Sequence, residues 1–527
     1  MSGTLAEDKK YNTTVILLVL SLLTLLIHFF TNYFTQFGIF RDELYYISCS
    51  RRPGMGYVDQ PPLSIFLLGL SRLAFGDSLF AIRIIPALSG ALTVIIMGLT
   101  VRRMGGGKYA VILSSISYIA APIFLAMNNI YSMNALDILL WTLAFYILVL
   151  ILSLDTNEKD AGYWLLLGVV LGLGLMNKIS MMWFGGGLFL ALLTRQYRHY
   201  LKTRWPYVAA LIAFILFLPF IVWNLTHSLA HLEFMRNASG LKYRSVTPVD
   251  FILGQFLLML PLSIPVWAAG IYYFFFSEKG KQFRAAGIIY LATIAILIIN
   301  WHSKPEYAAP AYPVLFAGGS VFIEEFIRKR SLTWLKYALP AMILLFAILV
   351  APFVLPCLPV KTYIEYSRIT GFQPDGHEGK ETTELPQLYA DMFGWENMAK
   401  TVSEVYLSLP EGERNDAFIF AQNYGEASAL EYYSKKYPLP KVMSPHNSFW
   451  VWEYEELKDP AKKNSYQTVI IIGGKVEDHL KALESVAQKG IIKSQYAMPY
   501  ENNLPVFIGK GFKIPVEVIW RAEKHFI

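Results

Sequence analysis

Long apolar runs recur over the first two thirds of the chain and set its predicted elements. A helix needs about 20 mostly apolar residues to cross a bilayer, and residues 14–34 form the first such run. Further apolar stretches begin near Ala81, Tyr109, Ile130, Tyr163, Ser180, Trp205, Phe251, Ala285, Ala308 and Trp334. The pattern predicts an α-helical polytopic membrane protein with about eleven transmembrane helices, of which the pair at 163–194 is short and rich in glycine.

The first apolar run follows Lys9 and Lys10, so a cleaved signal peptide is the alternative to a retained helix. The run is long for the apolar part of a signal peptide, and no A-x-A cleavage pattern follows it. We therefore expect a retained first transmembrane helix.

A long segment, residues 35–80, separates the first two predicted spans. Loops of more than about 15 residues are usually functional or disordered, and this one is too rich in aromatic residues for disorder. Within it, residues 65–75 (IFLLGLSRLAF) have the pattern of a helix that lies at the membrane interface.

The last third of the chain has a different pattern. Residues 395–409, 425–436 and 476–488 read as helices, whereas 416–421 and 468–472 read as strands, with more strands beyond 488. This alternation predicts a small α/β domain over 357–527, next to a membrane domain over 1–356.

Composition supports this division. Of the 527 residues, 55% are hydrophobic and only 16% are charged, against about 25% in an average soluble protein. Such a chain is neither soluble and globular nor disordered, and two cysteines, Cys49 and Cys357, cannot build a disulfide scaffold. Residues 1–356 hold 27 Lys+Arg and 16 Asp+Glu, whereas 357–527 hold 19 and 23, so a basic apolar part precedes a mildly acidic one.

The Lys and Arg residues of the loops also predict an orientation, because cytoplasmic loops are enriched in them. With the N-terminus inside, the inner segments carry 17 of these residues and the outer loops carry 9. An odd number of spans then places residues 357–527 outside the membrane.

Acidic residues at membrane depth are costly and usually functional. Asp42 and Glu43 follow the first span and suit a general base or a metal ligand, although acids also favour any helix N-terminus. Asp59 precedes Pro61 and Pro62, which stiffen the backbone, and a structural turn is its alternative role. Asp137 lies inside the fourth span, where it either helps form a site or pairs with a cation for packing.

A basic and aromatic set is predicted on the same outer side. Cations there can hold a lipid phosphate, or they can simply extend to the interface. The candidates are Lys178, His302, Lys304, Tyr307, Arg51, Arg52 and Arg83. The sequence has no P-loop, no G-x-S-x-G and no H-E-x-x-H motif, so an ATP-driven pump is not expected.

Taken together, these motifs resemble glycosyltransferase family 39. This group includes protein O-mannosyltransferases and the bacterial aminoarabinose transferases of lipid A, and its fold is called GT-C. The resemblance rests on the acidic pair after the first span and on the G-Y-x-D-x-P-P-L motif at 56–63. It also rests on Asp137, on Lys178 and on the K-x-x-Y-x-x-P-x-x-P pattern that starts at Lys304.

The tail segments QNYGEASALEYY and SPHNSFWVW look like those of a broad bacterial branch of this group. At Gln60 the chain departs from the aminoarabinose transferases, which usually have Lys in an E-K-P-P-L motif. This departure argues against assigning the lipid A aminoarabinose activity from the resemblance.

The resemblance implies a sugar transfer from a polyprenyl-phosphate donor to an acceptor hydroxyl at the outer membrane face, with inversion. It implies Asp42 as the base with Glu43 in support, and Asp59 and Asp137 as further acids of the site. The donor phosphate would be held by Lys178, His302, Lys304, Tyr307, Arg51 and Arg83.

Some GT-C enzymes need a divalent metal ion and others do not. Asp42, Glu43, Asp59 and Asp137 could supply oxygen ligands, but an obligatory metal is not expected. The expected partners are the donor, membrane lipid and an acceptor that is a protein, a lipid or a polysaccharide, with no nucleic acid. The implied location is a bacterial inner membrane.

Two other classes of protein fit part of the pattern. A transporter or flippase of lipid-linked or small polar substrates would also carry acids within its spans, although it would not need a long outer loop holding most of the site. A non-catalytic membrane scaffold would not need Asp137.

Overall fold

A computed structural model describes residues 2–154, 161–242, 245–372, 383–457 and 466–527. Within these ranges the chain forms two compact units. The first comprises residues 1–35, 71–222 and 245–358, and the second comprises 36–70, 223–244 and 359–527. This division differs from the sequence-based one, because residues 36–70 and 223–244 group with the tail.

The first unit is built from apolar helices, as the hydrophobic pattern predicts. Each of the ten later apolar stretches contains a helix that starts within a few residues of the expected position, and the first run, 14–34, lies within a helix that already begins at Ser2. The helices are Ser2–Phe34, Leu79–Arg103, Lys108–Ala120, Pro122–Met127, Met133–Leu152, Ala161–Asn177, Met181–Leu193, Trp205–Thr226, Pro248–Leu258, Ile264–Phe276, Arg284–Ile299, Tyr312–Arg330 and Leu335–Val350.

In the described ranges, six helices are long and apolar enough to cross a membrane, and the first of them covers Thr13–Phe34. A seventh candidate is the pair Pro248–Leu258 and Pro261–Phe276, which is bent by 89°. The helices Lys108–Ala120, Ala161–Asn177 and Met181–Leu193 are apolar but shorter. The chain is therefore an integral membrane protein, and eleven complete crossings remain a prediction.

The second unit contains a five-stranded mixed sheet. Its strands are β1 (Ala417–Phe420), β2 (Lys441–Met443), β3 (Thr468–Ile472), β4 (Leu483–Ile492) and β5 (Leu504–Phe512). The order is β2-β1-β3-β5-β4, with β1 parallel to β2 and β3, and β5 antiparallel to β3 and β4. The predicted strands at 416–421 and 468–472 are confirmed as β1 and β3.

The second unit also contains the helices that accompany this sheet. The predicted helices at 395–409 and 425–436 are confirmed as Trp395–Leu407 and Tyr424–Tyr433. The other helices of this unit are Arg41–Arg51, Leu63–Phe75 (whose last residues lie in the first unit), Ala230–Asn237, Val360–Thr370, Gln387–Ala390, Glu411–Arg414, Ser448–Leu457, Val476–His479 and Val516–Ala522. The predicted helix at 65–75 is thus confirmed as a helix, and its place at the interface stays a prediction.

The predicted helix at 476–488 is wrong beyond its first turn. The helix Val476–His479 is short, and β4 begins at Leu483. β4 pairs with β5 from Leu483 to Ile492, and its second half contains Gly490 and two isoleucines, which are weaker helix formers than alanine or leucine. Pairing with β5 therefore makes this region a strand, although its local sequence pattern predicts a helix.

Two residues that entered the charge count, Lys159 on the inner side and Arg244 on the outer side, lie outside the described residues. The orientation of the chain therefore stays a prediction.

Candidate functional site

In the first unit, Asp137 and Lys178 form a buried ion pair. The helix Met133–Leu152 begins at the cap Ser132, so Asn134 and Asp137 are three residues apart and share one helix face. Lys178 Nζ lies 3.8 Å from Asp137 Oδ2 and donates to Asn134 Oδ1 at 2.7 Å. The Asp137 side chain has no exposed surface, whereas 15% of the Lys178 side chain is exposed.

Other groups complete this pair. Ser180 Oγ lies 2.9 and 2.8 Å from the two carboxylate oxygens of Asp137, so one buried hydroxyl serves the acid. Lys178 Nζ lies 5.2 Å from the centroid of the Tyr307 ring, a cation–π distance. The charges of Lys304 and Glu306 also act on Lys178. Two further predicted phosphate ligands, Tyr307 and Lys304, therefore lie near Lys178.

His302 and Arg83 have other surroundings in the same unit. The His302 backbone N–H donates to Asn300 Oδ1 at 3.4 Å. Arg83 is almost fully buried in the helix Leu79–Arg103 and donates from Nη1 to Asn32 Oδ1 at 3.1 Å. Their predicted phosphate role stays a prediction.

In the second unit, Asp42 is bound by a tyrosine from the tail. Tyr424 Oη donates to Asp42 Oδ1 at 2.8 Å, and Arg41 Nε lies 3.7 Å from the same oxygen. Tyr424 begins the helix that follows β1, so the sheet fixes its position. The Asp42 side chain is 41% exposed, which leaves it accessible to a substrate.

Arg41 is held in place from its other side. Its Nη1 donates to Tyr500 Oη at 2.8 Å, and Tyr500 in turn donates to Asp391 at 3.2 Å. The Arg41 guanidinium also lies 5.5 Å from the centroid of the Tyr424 ring. Asp42 therefore sits beside a cation and a hydroxyl donor that are themselves fixed by the tail.

Asp59, like Asp42, accepts a hydrogen bond from a tyrosine. Tyr45 Oη donates to Asp59 Oδ1 at 2.9 Å, and the Tyr45 and Tyr424 rings are 4.8 Å apart. Burial, reinforced by the charge of Asp59, raises the pKa of Tyr45 well above its usual value. Tyr45 therefore stays a protonated donor.

The backbone beside Asp59 is also held. Val58 N donates to Ser448 Oγ at 3.1 Å, and His231 Nδ1 lies 2.9 Å from Val58 O. The G-Y-x-D-x-P-P-L motif therefore owes its position to contacts with two distant segments as well as to its prolines.

Glu43 and Arg51 have structural partners. Glu43 is fully buried, and its Oε2 accepts the backbone N–H of Phe40 at 2.9 Å, which caps the helix Arg41–Arg51. Arg51 Nη1 donates to Glu431 O at 2.9 Å. Among the residues that the structure describes, no group of three His, Cys, Asp or Glu side chains is placed to hold a metal ion.

Sequence reasoning missed Tyr45, Tyr424, Ser448, His231 and Glu431. Tyr424 and Glu431 lie in the tail segment QNYGEASALEYY, and Ser448 lies in SPHNSFWVW. The resemblance marked both segments but gave no role to any residue in them. Tyr45 and His231 carried no comparable signal.

A buried pair of acids lies next to Tyr424. Glu426 accepts the Gln422 backbone N–H at 2.7 Å and the Asn423 side-chain amide at 2.9 Å, and the same amide donates to Glu501 at 3.0 Å. Both acids are 3% exposed. Burial raises the pKa of Glu426 well above its usual value, and the charge of Glu501 raises it further.

This raised pKa predicts a pH-dependent stability. Below the unfolded-state pKa of about 4.3, Glu426 makes its full contribution to the free energy of unfolding. This contribution is lost as the pH rises through the higher folded-state pKa, by up to about 1.4 kcal/mol per pH unit. Burial also lowers the pKa of His231 to about 4. Below about pH 6.5 this histidine makes the folded protein less stable as the pH falls, which is opposite to the effect of Glu426. We therefore expect the melting temperature of Glu426→Gln, relative to wild type, to be higher at pH 8 than at pH 5 in thermal unfolding followed by tryptophan fluorescence. An unchanged difference across this range would contradict a proton on Glu426.

Comparisons with known proteins show what the chain is similar to. The family described as dolichyl-phosphate-mannose-protein mannosyltransferase matches residues 59–223. Undecaprenyl phosphate-alpha-4-amino-4-deoxy-L-arabinose arabinosyl transferase 2 of Pseudomonas fluorescens is 25% identical over 311 residues, which are 55% of this chain and 53% of that protein. The corresponding transferase of Yersinia enterocolitica is 28% identical over 131 residues, 24% of this chain and 23% of that protein. The chain thus spans about half the length, or less, of these relatives.

Solved structures show the same fold over most of the chain. ArnT from Cupriavidus metallidurans in the apo state has a TM-score of 0.61 at 13% identity and covers 95% of this chain and 98% of its own. ArnT bound to undecaprenyl phosphate has a TM-score of 0.59 at 12% identity over 94% and 97%. The oligosaccharyltransferase of Archaeoglobus fulgidus has a TM-score of 0.50 at 13% identity over 90% and 70%. The resemblance to glycosyltransferase family 39 is therefore confirmed, and the chain has the GT-C fold of these membrane glycosyltransferases.

Proposed function

We propose that this protein transfers a sugar from a polyprenyl-phosphate donor to an acceptor hydroxyl, with inversion, at the outer face of a bacterial inner membrane. The observation that carries the proposal is Lys178, a cation held among apolar helices by buried Asp137. Part of the Lys178 side chain, 15%, is exposed, so its ammonium group can also reach an anionic ligand such as the phosphate of a membrane lipid. The names of the relatives, arabinosyl and mannosyl transferases, point to the same reaction class.

The chemistry follows from the two sets of residues. Asp42 takes the proton of the acceptor hydroxyl as the hydroxyl oxygen bonds to the anomeric carbon. The bond from that carbon to the phosphate oxygen breaks on the opposite side, so the configuration inverts and the lipid phosphate leaves. Lys178 and Lys304 stabilise the charge that grows on this phosphate.

The two acids Asp59 and Glu43 support this scheme indirectly. Asp59, bound by Tyr45, fixes the loop that follows the helix of Asp42, and Glu43 caps that helix. The proposal needs no metal, because a single displacement requires only the base and the cations. The transporter and scaffold alternatives gain no support from the relatives found.

The proposal is tested with the purified protein in lipid nanodiscs and a polyprenyl-phosphate sugar that is radiolabelled in the sugar. We expect the label to move from the lipid phase to an added cell-envelope acceptor fraction, or slowly to water. A lipid that keeps its label under all conditions, while the sugar lipid crosses the bilayer of proteoliposomes, would support the flippase instead.

Lys304→Ala is expected to weaken donor binding by about 10- to 100-fold, since a hydrogen bond to a charged group is worth about 1.5–3 kcal/mol. The melting temperature should stay near that of wild type, because Lys304 is only half-buried. Competition of undecaprenyl phosphate against the labelled donor measures the affinity. Lys336→Ala, which removes an exposed cation at the start of another helix, is the matched control, and equal affinities in the two variants would remove Lys304 from the phosphate site.

A further inference from the structure

A cleft of about 820 Å³ in the second unit has no role in the proposed reaction so far. Arg51 and Arg52, at the end of the helix Arg41–Arg51, line one part of it, and His227 and residues from 431–442 and 451–456 line the rest. Its volume lies in the range of pockets that hold small-molecule ligands. Asp42 is nine residues from Arg51 on this helix, so the cleft begins about 14 Å along the axis from Asp42 at 1.5 Å per residue.

Five of the charged side chains that line the cleft, Arg52, Glu431, Lys441, Glu453 and Glu456, are paired within it. Arg52 forms a two-pronged ion pair with Glu431, at 2.5 and 3.0 Å, and Ser48 Oγ donates to the same carboxylate at 2.7 Å. Elsewhere on the lining, Lys441 Nζ lies 2.6 Å from Glu453 and 2.5 Å from Glu456. The lining holds three Arg or Lys side chains and four Glu side chains, besides His227, so it carries no large excess of either charge.

These paired groups keep hydrogen-bonding capacity. A carboxylate has about four acceptor sites and a guanidinium has five donors in one plane, so neither is exhausted by a single ion pair. Glu455 is exposed on the cleft. A neutral ligand with many hydroxyl groups, each both donor and acceptor, matches this lining.

An aromatic surface accompanies the polar groups. Trp452 lines the cleft, and its ring is fixed by the Arg52 guanidinium at 4.6 Å and by the Phe449 ring at 5.1 Å. Leu439, Pro440 and Val451 add apolar surface. A sugar ring presents an apolar C–H face and a rim of hydroxyls, and this lining offers a partner for each.

From this combination we infer that the cleft binds a saccharide, and that this saccharide is part of the acceptor. The second half of the inference rests on the proposed function, whereas saccharide binding does not. An acceptor with a glycan seated in the cleft would have to span a distance of about 14 Å or more to present a free hydroxyl at Asp42.

The test uses the full-length protein in nanodiscs on an array of neutral, amino and acidic oligosaccharides, without donor. We expect a neutral saccharide to bind more tightly than the amino and acidic ones, and Trp452→Leu and Glu455→Ala each to weaken its binding by about tenfold or more, as for the loss of one good contact. Trp334→Leu and Glu411→Ala, which change an exposed tryptophan and an exposed acid outside the cleft, should bind as wild type. If Trp452→Leu fails to fold, Glu455→Ala still tests the site, because Glu455 is exposed and its replacement should not disturb the fold.

The transfer assay separates the two halves of the inference. With an acceptor that carries the bound saccharide, both cleft variants should raise the KM for the acceptor and leave the rate of donor hydrolysis by water unchanged. No binding by wild type, or equal binding by wild type and both cleft variants, would overturn the saccharide site. A protein that binds the saccharide but never releases sugar from the donor would overturn the proposed function and leave the saccharide site standing.

Discussion

Replacing Asp42 by Asn is expected to lower the rate of sugar transfer by a factor of about 10²–10⁴, the usual contribution of a general base. Asn keeps the shape of the side chain and can still accept the hydrogen bond from Tyr424 Oη, which is 2.8 Å long in the wild type. The helix Arg41–Arg51 should therefore stay in place. Turnover of the labelled donor by the purified variant measures the effect, with donor affinity and melting temperature measured in parallel.

Tyr424→Phe is the companion variant. It keeps the ring that packs on Tyr45 and removes only the hydroxyl that holds Asp42. We expect kcat to fall by about tenfold, the worth of one hydrogen bond, with the KM for the donor unchanged. Wild-type turnover by Asp42→Asn would remove Asp42 as the base, and a Tyr424→Phe variant that alters only stability would reduce Tyr424 to a packing residue.

Lys178→Met is expected to abolish measurable binding of undecaprenyl phosphate and to destabilise the protein. The variant leaves the fully buried carboxylate of Asp137 without its cation, and removal of one partner of a buried ion pair costs about 3–5 kcal/mol. The melting temperature with and without undecaprenyl phosphate reports both effects, because a ligand that binds only the folded state raises it.

The double variant Asp137→Asn/Lys178→Met distinguishes binding from folding. It removes both charges, so we expect much of the lost stability to return while the shift caused by undecaprenyl phosphate remains absent. A double variant that is stabilised by the lipid as strongly as wild type would show that the pair serves packing alone.

The hydrophobic pattern predicts the first unit well, because membrane helices are read from composition over one continuous stretch. Asp137 and Lys178 were also marked from the sequence, because one lies within a predicted span and the other directly after the next helix. Even there, spacing alone does not show that Ser180 serves the acid or that Tyr307 lies over the lysine. Those contacts depend on how the helices pack.

The second unit was less predictable, because its contacts join segments that are far apart in the chain. Asp42 and Tyr424 are 382 positions apart, and Ser48 and Glu431 are 383 apart. No local periodicity carries such information. The adjacent acids Asp42 and Glu43 show the same limit, since only the three-dimensional structure separates the exposed carboxylate from the one that caps its helix.

The two interleaved units have a consequence for synthesis and for dissection of the protein. The helix Arg41–Arg51 leaves the ribosome long before β1 and the helix Tyr424–Tyr433 are synthesised. The residues that it buries against these elements therefore stay exposed until most of the chain has been made. A fragment that starts at residue 359 would lack the segments 36–70 and 223–244 that complete its unit. We therefore expect such a fragment to aggregate when expressed alone, and a chain truncated before β1 to be inactive even with every membrane helix in place.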